Sequence, residues 1–430
     1  MRRATGARAT GGGVSGEIGR KTTAGRGRLR RLAGLAAAFW LAVLAACARP
    51  MLGIGDVIEG VPDDSVAMRL VLIGDAGLPA PGGEPVLEAL REELKWDPQR
   101  TLVVYLGDNV YPRGLVDSAT AERAEGERIL REQMEPLLET GTRGIFIPGN
   151  HDWDAGSPQG WAAILREERF VEAHGRDLIR FFPGEACPGP TVLDFDDYLR
   201  LIVMDTQWWL HGPAPGKPYG SGSHCRARTE EEIIDSLRVD LASAGTRRTV
   251  VVGHHPIATG GEHGGYFDWP TYLFPFHPWA RLGGFFARQD VSGREYRTLI
   301  TSFERAFAAS PPMLYAAGHE HNLQVFRRDP ARYQLVSGGG IYNHTTRVRA
   351  ITGTRYTRRA SGYMRLSFLR DGRVRLSVQV VDAEGKAQED FSTWVEEERI
   401  ERAAPVVPGA AERPAPAPAP APPPGSGTRP

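Results

Sequence analysis

Leu102-Val103-Val104-Tyr105-Leu106-Gly107-Asp108-Asn109-Val110-Tyr111 is an apolar run that stops at a glycine and then presents a carboxylate, an amide and a phenol. A continuous apolar run of this length reads as a strand buried on both faces, ended by a turn at the glycine. Four other stretches repeat the arrangement. Leu70-Val71-Leu72-Ile73 enters Gly74-Asp75-Ala76-Gly77, and Ile145-Phe146-Ile147 passes through Pro148 into Gly149-Asn150-His151-Asp152. Thr249-Val250-Val251-Val252 meets Gly253-His254-His255-Pro256, and Met313-Leu314-Tyr315-Ala316-Ala317 meets Gly318-His319-Glu320-His321.

Amphipathic segments lie between some of these runs. Glu84 to Leu94 repeats apolar side chains at Val86, Leu87, Leu90 and Leu94, which predicts a helix. A second helix starts at Thr229, with Glu232 completing a capping box and Ile233, Ile234, Leu237 and Leu241 facing inward. Alternating strands and helices argue an α/β architecture, with polar groups gathered at the carboxyl ends of the strands, where such sheets bind ligands. After Tyr333 the pattern changes, and Tyr363 to Phe368 and Val374 to Val380 read as a hairpin across Asp371-Gly372.

Taken singly, each turn is ordinary. Asp and Asn cap backbone amides in turns, and a lone His after a strand is usually hydrogen-bonded structure. Five strand ends that each offer an oxygen or an imidazole are different. This donor mixture suits Fe, Zn and Mn, and a closely spaced pair of cations clamps the attacking and leaving oxygens of a phosphoryl displacement.

In this order the five blocks resemble the metallophosphoesterase (calcineurin-like) superfamily and, within it, the purple acid phosphatases. Glu262-His263-Gly264 and His321-Asn322-Leu323-Gln324 look like the mammalian-type, tartrate-resistant subgroup. The resemblance covers about Leu70 to Gly340. It implies a four-layer α/β/β/α sandwich of two mixed sheets flanked by helices. It also implies two metal ions: Asp75, Tyr111 and His321 on the first, ferric iron in this family, and Asn150, His254 and His319 on the second, which is Fe, Zn or Mn. Asp108 would bridge them. Most of the superfamily has a His two residues after the first Asp, where this chain has Gly77. Tyr111 stands where the purple subgroup supplies a phenolate. Simple strand-end packing is the other reading of that tyrosine, and the loss at 77 favours the ligand.

His151 and His263 match the family's substrate-facing histidines, which bind the phosphate or protonate the leaving alkoxide. For His263, a solvated loop histidine is the alternative. His255 matches no ligand and reads as support for its turn. The implied reaction is hydrolysis of a phosphomonoester by a metal-bound hydroxide. A phosphodiesterase or nucleotidase would use the same ligands, and a non-catalytic phosphate- or metal-binding surface lipoprotein is the alternative of another class. The chain has no GxSxG or P-loop motif.

Outside this core the composition is partitioned. The 430 residues include 52 basic and 52 acidic ones. Residues 1–46 hold nine basic and one acidic residue, which leaves 43 basic against 51 acidic in the remainder. Arg26, Arg28, Arg30 and Arg31 precede fifteen uncharged residues from Leu32 to Ala46, and Leu44-Ala45-Ala46-Cys47 follows the pattern of a bacterial lipobox. Residues 1–46 thus read as a lipoprotein signal peptide, with Cys47 lipidated and the protein exported to a bacterial cell envelope membrane, periplasmic or surface-exposed. A membrane anchor ending at a chance cysteine is the alternative. An acidic remainder argues against nucleic acid as a partner. Export places Cys187 and Cys225 in an oxidising compartment, as a disulfide or as two free thiols.

The expected organisation is a tether over 47–66, the catalytic domain over 67–382, a terminal segment over 383–402, and a disordered Pro/Ala-rich tail over 403–430. Within the domain, about 266–312 is an insertion rich in aromatic residues: Tyr266, Phe267, Trp269, Tyr272, Phe274, Phe276, Trp279, Phe285 and Phe286. It reads as a substrate wall beside His263 or as a satellite hydrophobic cluster, and the same choice applies to Trp208 and Trp209.

Overall fold

The computed structural model of the chain describes residues 56–117, 121–212, 217–266 and 288–396. Two seven-stranded mixed sheets form its centre. In the first, β1 (Val66–Ile73), β2 (Thr101–Tyr105), β3 (Arg143–Phe146) and β4 (Ile179–Phe181) run parallel. In the second, β5 (Thr191–Phe195) lies antiparallel to β6 (Leu199–Val203), which continues in parallel through β7 (Arg248–Val252) and β8 (Leu314–Ala317). Beyond β8 come the parallel β10 (Tyr333–Ser337) and then the antiparallel β9 (Leu323–Arg327) and β11 (Thr354–Arg358). The first sheet is completed on the far side of β1 by the antiparallel β12 (Gly362–Leu369), β13 (Val374–Val381) and β14 (Ala387–Glu396).

Alternation along the strands sorts the layers. Leu70, Leu72, Leu102 and Val104 share one core with Leu201, Val250 and Leu314 of the other sheet. Val71, Ile73, Val103 and Tyr105 turn the opposite way, into the core that the helices supply. On the first sheet these are α1 (Pro85–Leu94), α2 (Ala121–Thr140) and α3 (Gly160–His174), and the Tyr105 hydroxyl donates to the Gln133 carbonyl of α2 at 2.6 Å. On the second they are α4 (Thr206–His211), α5 (Glu230–Ala242) and α6 (Arg294–Ala309), whose Phe303 and Phe307 flank Tyr315 of β8. The result is the expected α/β/β/α order.

The helix signals act locally. Glu84 caps α1 by accepting from the Val86 amide, with Pro85 at the first position, where its missing N–H costs nothing. At α5 the Thr229 hydroxyl accepts from the Glu232 amide, but the Glu232 carboxylate accepts from the Arg228 amide at 2.8 Å, one residue beyond the expected capping box.

Three observations bear on the expected extents. The stretch 383–402 was expected to be a terminal segment, yet it contributes β14. Phe391 and Val395 of that strand enter the inter-sheet core, while the charges around them dilute the apolar signal. The end of the 47–66 tether lies along β14, where the Ile58 amide donates to Ser392 Oγ at 2.9 Å. Finally, the 266–312 insertion carries α6, and its Tyr296, Leu299, Phe303 and Phe307 sit in the main helix-side core. Trp208 and Trp209 are buried in the same core. Phe267, Trp269, Tyr272, Phe274, Phe276, Trp279, Phe285 and Phe286 lie outside the described residues, as do Cys47, the signal segment and the Pro/Ala tail. No helix among the described residues is long and apolar enough to cross a membrane.

Cys187 and Cys225 are joined in a disulfide, with Cα atoms 5.6 Å apart, closing a separation of 38 residues. A loop of that length contributes about 3–4 kcal/mol by restricting the unfolded chain. Cys187→Ser/Cys225→Ser should lose about that much in chemical denaturation. Reductant should destabilise the wild type equally and leave the double variant unchanged.

Candidate metal centre

The parallel strands of both sheets end at one place because the sheets are stitched there. The Gly74 amide donates to the Ser337 carbonyl at 2.8 Å, and Ser337 Oγ donates to the Leu72 carbonyl at 2.8 Å. Close approach excludes side chains at the turns. A Cβ on Gly149 would stand 2.2 Å from the Asp108 amide nitrogen, so only glycine lets the β3 turn reach Asp108. Asp75, Asp108 and His319 take φ of 58°, 55° and 72°. Each left-handed residue costs about 1–3 kcal/mol, held in place by the surrounding structure, and such outliers gather at functional sites.

These turns bring all seven expected ligands together in two halves. In the first, the Tyr111 hydroxyl lies 2.9 Å from His321 Nε2, 3.1 Å from Asp108 Oδ2 and 3.2 Å from Asp75 Oδ1. In the second, Asn150 Oδ1 is 3.0 Å from both His254 Nε2 and His319 Nδ1, which are themselves 3.3 Å apart. Asp108 Oδ2, 3.3 Å from His254 Nε2, belongs to both halves. The remaining ring nitrogens of the two second-half histidines are fixed by main-chain carbonyls: His254 Nδ1 by Leu106 at 2.8 Å and His319 Nε2 by Gln289 at 3.1 Å. That pairing turns the other nitrogen of each ring toward the shared centre, as in a metal-binding imidazole.

The donor set demands a positive charge. His319 donates through Nε2, and burial, followed by the neighbouring His263, His255 and His254, holds it neutral. Its bare Nδ1 therefore faces the Asn150 oxygen, lone pair against lone pair, unless a cation or proton lies between. Burial works to lower His254, but Asp108 outweighs it and lifts the imidazole to about 9. Burial would raise Asp108, yet His254 and His151 hold it below the usual carboxylate range. In the first half one phenolic proton faces two carboxylates as well as His321, while burial and then the Asp108 and Asp75 charges push the Tyr111 hydroxyl up. Mixed carboxylate, phenol, amide and imidazole donors fit iron, zinc or manganese in both halves.

At 77 the space of the missing ligand is occupied. A Cβ there would meet the Asp108 carbonyl oxygen and the Asn109 carbonyl carbon at 2.5 Å, and the Tyr111 amide donates to the Gly77 carbonyl at 3.0 Å. The glycine that removes a ligand also seats the tyrosine.

His151 and His263 flank the two halves. The His151 ring lies 4.4 Å from the Tyr111 ring and donates Nδ1–H to the Pro112 carbonyl at 2.7 Å, leaving Nε2 on the site side, 4.0 Å from Asp108 Oδ2. The His263 ring stacks on His319 at 4.0 Å, with Nδ1 3.3 Å from Asp290 Oδ1. Both line a cleft of about 130 Å³ with Asp108, Asn150, His319 and His321. His255 stays outside the ligand set. It is wedged between Thr206 Oγ1 at 2.7 Å and Gln289 Oε1 at 2.6 Å, and burial keeps it neutral.

The structure adds five supports whose roles the sequence did not reveal. Gln289 and Asp290 arrive from the insertion and hold His319 and His263. Asp152 accepts from the Gly149, Asn109 and Val110 amides, locking two ligand turns together. Glu320, between two ligand histidines, accepts from the Thr259 hydroxyl and from the Glu262 and His263 amides. Gln324 accepts from the Gly260 amide at 2.8 Å, two residues before Glu262-His263-Gly264.

The sequence profile of the calcineurin-like phosphoesterases matches residues 68–323, more than half of the chain and every residue of the two halves. The chain belongs to the calcineurin-like phosphoesterase family. Members of this metallophosphoesterase family bind two metal ions, in keeping with the paired His and Asp clusters found here. Purple acid phosphatase 4 of Arabidopsis thaliana is 21% identical over 302 residues, 67% of this chain and 74% of that protein. Among solved structures, GAP50, the anchor in the inner membrane complex of Plasmodium, is 16% identical with a TM-score of 0.49, covering 78% of this chain and 90% of its own. The purple acid phosphatase of yellow lupin (Lupinus luteus) seeds is 15% identical with a TM-score of 0.49, covering 77% of this phosphoesterase and 54% of the lupin chain.

Metal uptake must displace the proton that Asp108 draws onto His254. The affinity of the second half should therefore weaken as pH falls below about 9. Zinc titrated calorimetrically at pH 7, in buffers of different ionisation enthalpy, should release about one proton fewer in His254→Gln than in wild type.

Proposed function

We propose that this phosphoesterase is a purple-acid-phosphatase-like hydrolase of phosphomonoesters, with ferric iron held by Asp75, Tyr111 and His321 and Fe, Zn or Mn held by Asn150, His254 and His319. Asp108 would serve both. The observation that carries this reading is the pairing at the first half: backbone fills the space beside Gly77, and the Tyr111 hydroxyl lies within 3.2 Å of Asp75, Asp108 and His321. When bound, two cations would polarise the phosphoryl group and lower the pKa of the attacking water. His151, with Nδ1 tied to Pro112, would hold a phosphoryl oxygen or a proton at Nε2. His263, braced by Asp290, would do the same work on the opposite side, including protonation of the leaving alkoxide.

The deciding test is metal analysis with a visible spectrum. The wild type should show a tyrosinate-to-iron(III) band that Tyr111→Phe abolishes. A colourless, active, manganese-loaded enzyme would reject the purple assignment. Turnover on a monoester should exceed that on a diester, and the reverse would make the chain a phosphodiesterase. Metal-loaded protein without turnover at any pH would leave a binding protein.

We further propose that residues 1–46 direct export and that Cys47 is lipidated and anchors the protein to a bacterial cell envelope membrane. The basic run, the fifteen uncharged residues before Cys47 and the Cys187–Cys225 disulfide, a bond of oxidising compartments, support this reading. Full-length protein should partition with membranes after cell lysis, and Cys47→Ser should not.

A further inference from the structure

We infer that His344 is a third substrate-facing imidazole, donating to a phosphoryl oxygen at the Tyr111–His321 side of the cleft. The inference rests on the phosphoesterase reading above and assigns its anion a contact that the family pattern does not supply.

Position comes first. The His344 ring lies 4.4 Å from the His321 ring and edge-on to Tyr111 at 6.0 Å. It stands beside the same half of the centre that His151 approaches across Tyr111. The loop that carries it is pinned on both sides. The Tyr342 amide donates to Glu84 Oε1 at 2.7 Å, and the Asn343 amide donates to Ser361 Oγ at 2.9 Å with Asn343 at φ 58°. The Thr346 amide donates to the His321 carbonyl at 2.8 Å, and Thr346 itself lines the cleft. The backbone on either side of His344, two residues before the cleft-lining Thr346, is therefore held by bonds to α1's cap, to the residue before β12 and to a candidate ligand.

Its hydrogen bonding sets it apart. His151, His254, His255, His263, His319 and His321 each have at least one ring nitrogen bound to a neighbour. Among the described residues the His344 ring has no such bond, and its Nδ1 is buried without a partner. A neutral imidazole carries one N–H. Burying that N–H unmatched would cost more than burying a lone pair, so the hydrogen belongs on Nε2, the nitrogen that solvent reaches. Beside the His321 and Tyr111 rings the chain thus offers an N–H with no acceptor among the described residues, next to a cluster whose proposed substrate carries acceptor oxygens only. Packing against His321 would be served equally by a phenyl ring.

The experiment compares metal-loaded wild type with His344→Phe, His344→Ala and His344→Gln. It reads metal content, the Kd for inorganic phosphate by calorimetry, and KM and kcat on 4-nitrophenyl phosphate. The expected result is unchanged metal content, with phosphate Kd and KM raised roughly tenfold in the Phe and Ala variants, as for loss of one hydrogen bond to a charged group. His344→Gln, which keeps a donor, should recover most of that affinity, and kcat should change less than KM. Equal phosphate affinity in wild type and His344→Phe would overturn the inference and leave the ring as packing. Loss of metal in the Phe variant would also overturn it, making His344 a support for His321. Failure of the underlying reading looks different: wild type that takes up metal but neither binds phosphate nor turns over the ester overturns both.

Discussion

The buried carboxylate of Asp108 is the constraint on which the rest of the centre depends. It is 2% exposed, its Oδ2 faces Tyr111 on one side and His254 on the other, and its Oδ1 accepts from the His151 amide. An ionised carboxylate at such depth costs several kcal/mol unless positive charge and hydrogen bonds surround it. The neighbourhood supplies both. The left-handed backbone at Asp108 aims the group, and the space that a Gly149 side chain would need is where the carboxylate lies. A methyl group at that position would press on Oδ1 and act on both halves together, because they share this one carboxylate.

Similar side chains acquire different chemistry from their partners alone. His254 and His255 are adjacent and both fully buried, yet Asp108 raises the first while burial and the neighbouring His254 depress the second. Asp152, two residues after Asn150, is lifted to about 7 by burial and by the charge on Asp108. It still accepts three backbone amides and so works as a clamp between turns. Position in a motif therefore does not assign a role. The partner of each atom does.

What the sequence disclosed follows from how local each signal is. A strand buried on both faces, a glycine and a ligand within three residues form one contiguous pattern, so all five strand ends and their donors were legible. The helices at Pro85–Leu94 and Glu230–Ala242 carried cap and periodicity in the same short window. Gln289 and Asp290 had no such signature. They reach His319 and His263 only through tertiary packing, across about thirty residues of intervening chain in each case. The helix at Arg294–Ala309 was hidden by the aromatic stretch before it, and the strand at Ala387–Glu396 by its charges. Glu320 was visible inside Gly-His-Glu-His, but its grip on the His263 loop required the loop to be seen folded back.

The stitching of Gly74 to Ser337 has a consequence for the order in which the molecule matures. The donors of either half span more than a hundred residues and come from both sheets, so no early portion of a growing chain contains a complete set. A polypeptide that has not yet delivered His319 and His321 has only isolated turns to offer a cation, and these bind weakly. A complete donor set therefore exists only where both sheets have closed on each other.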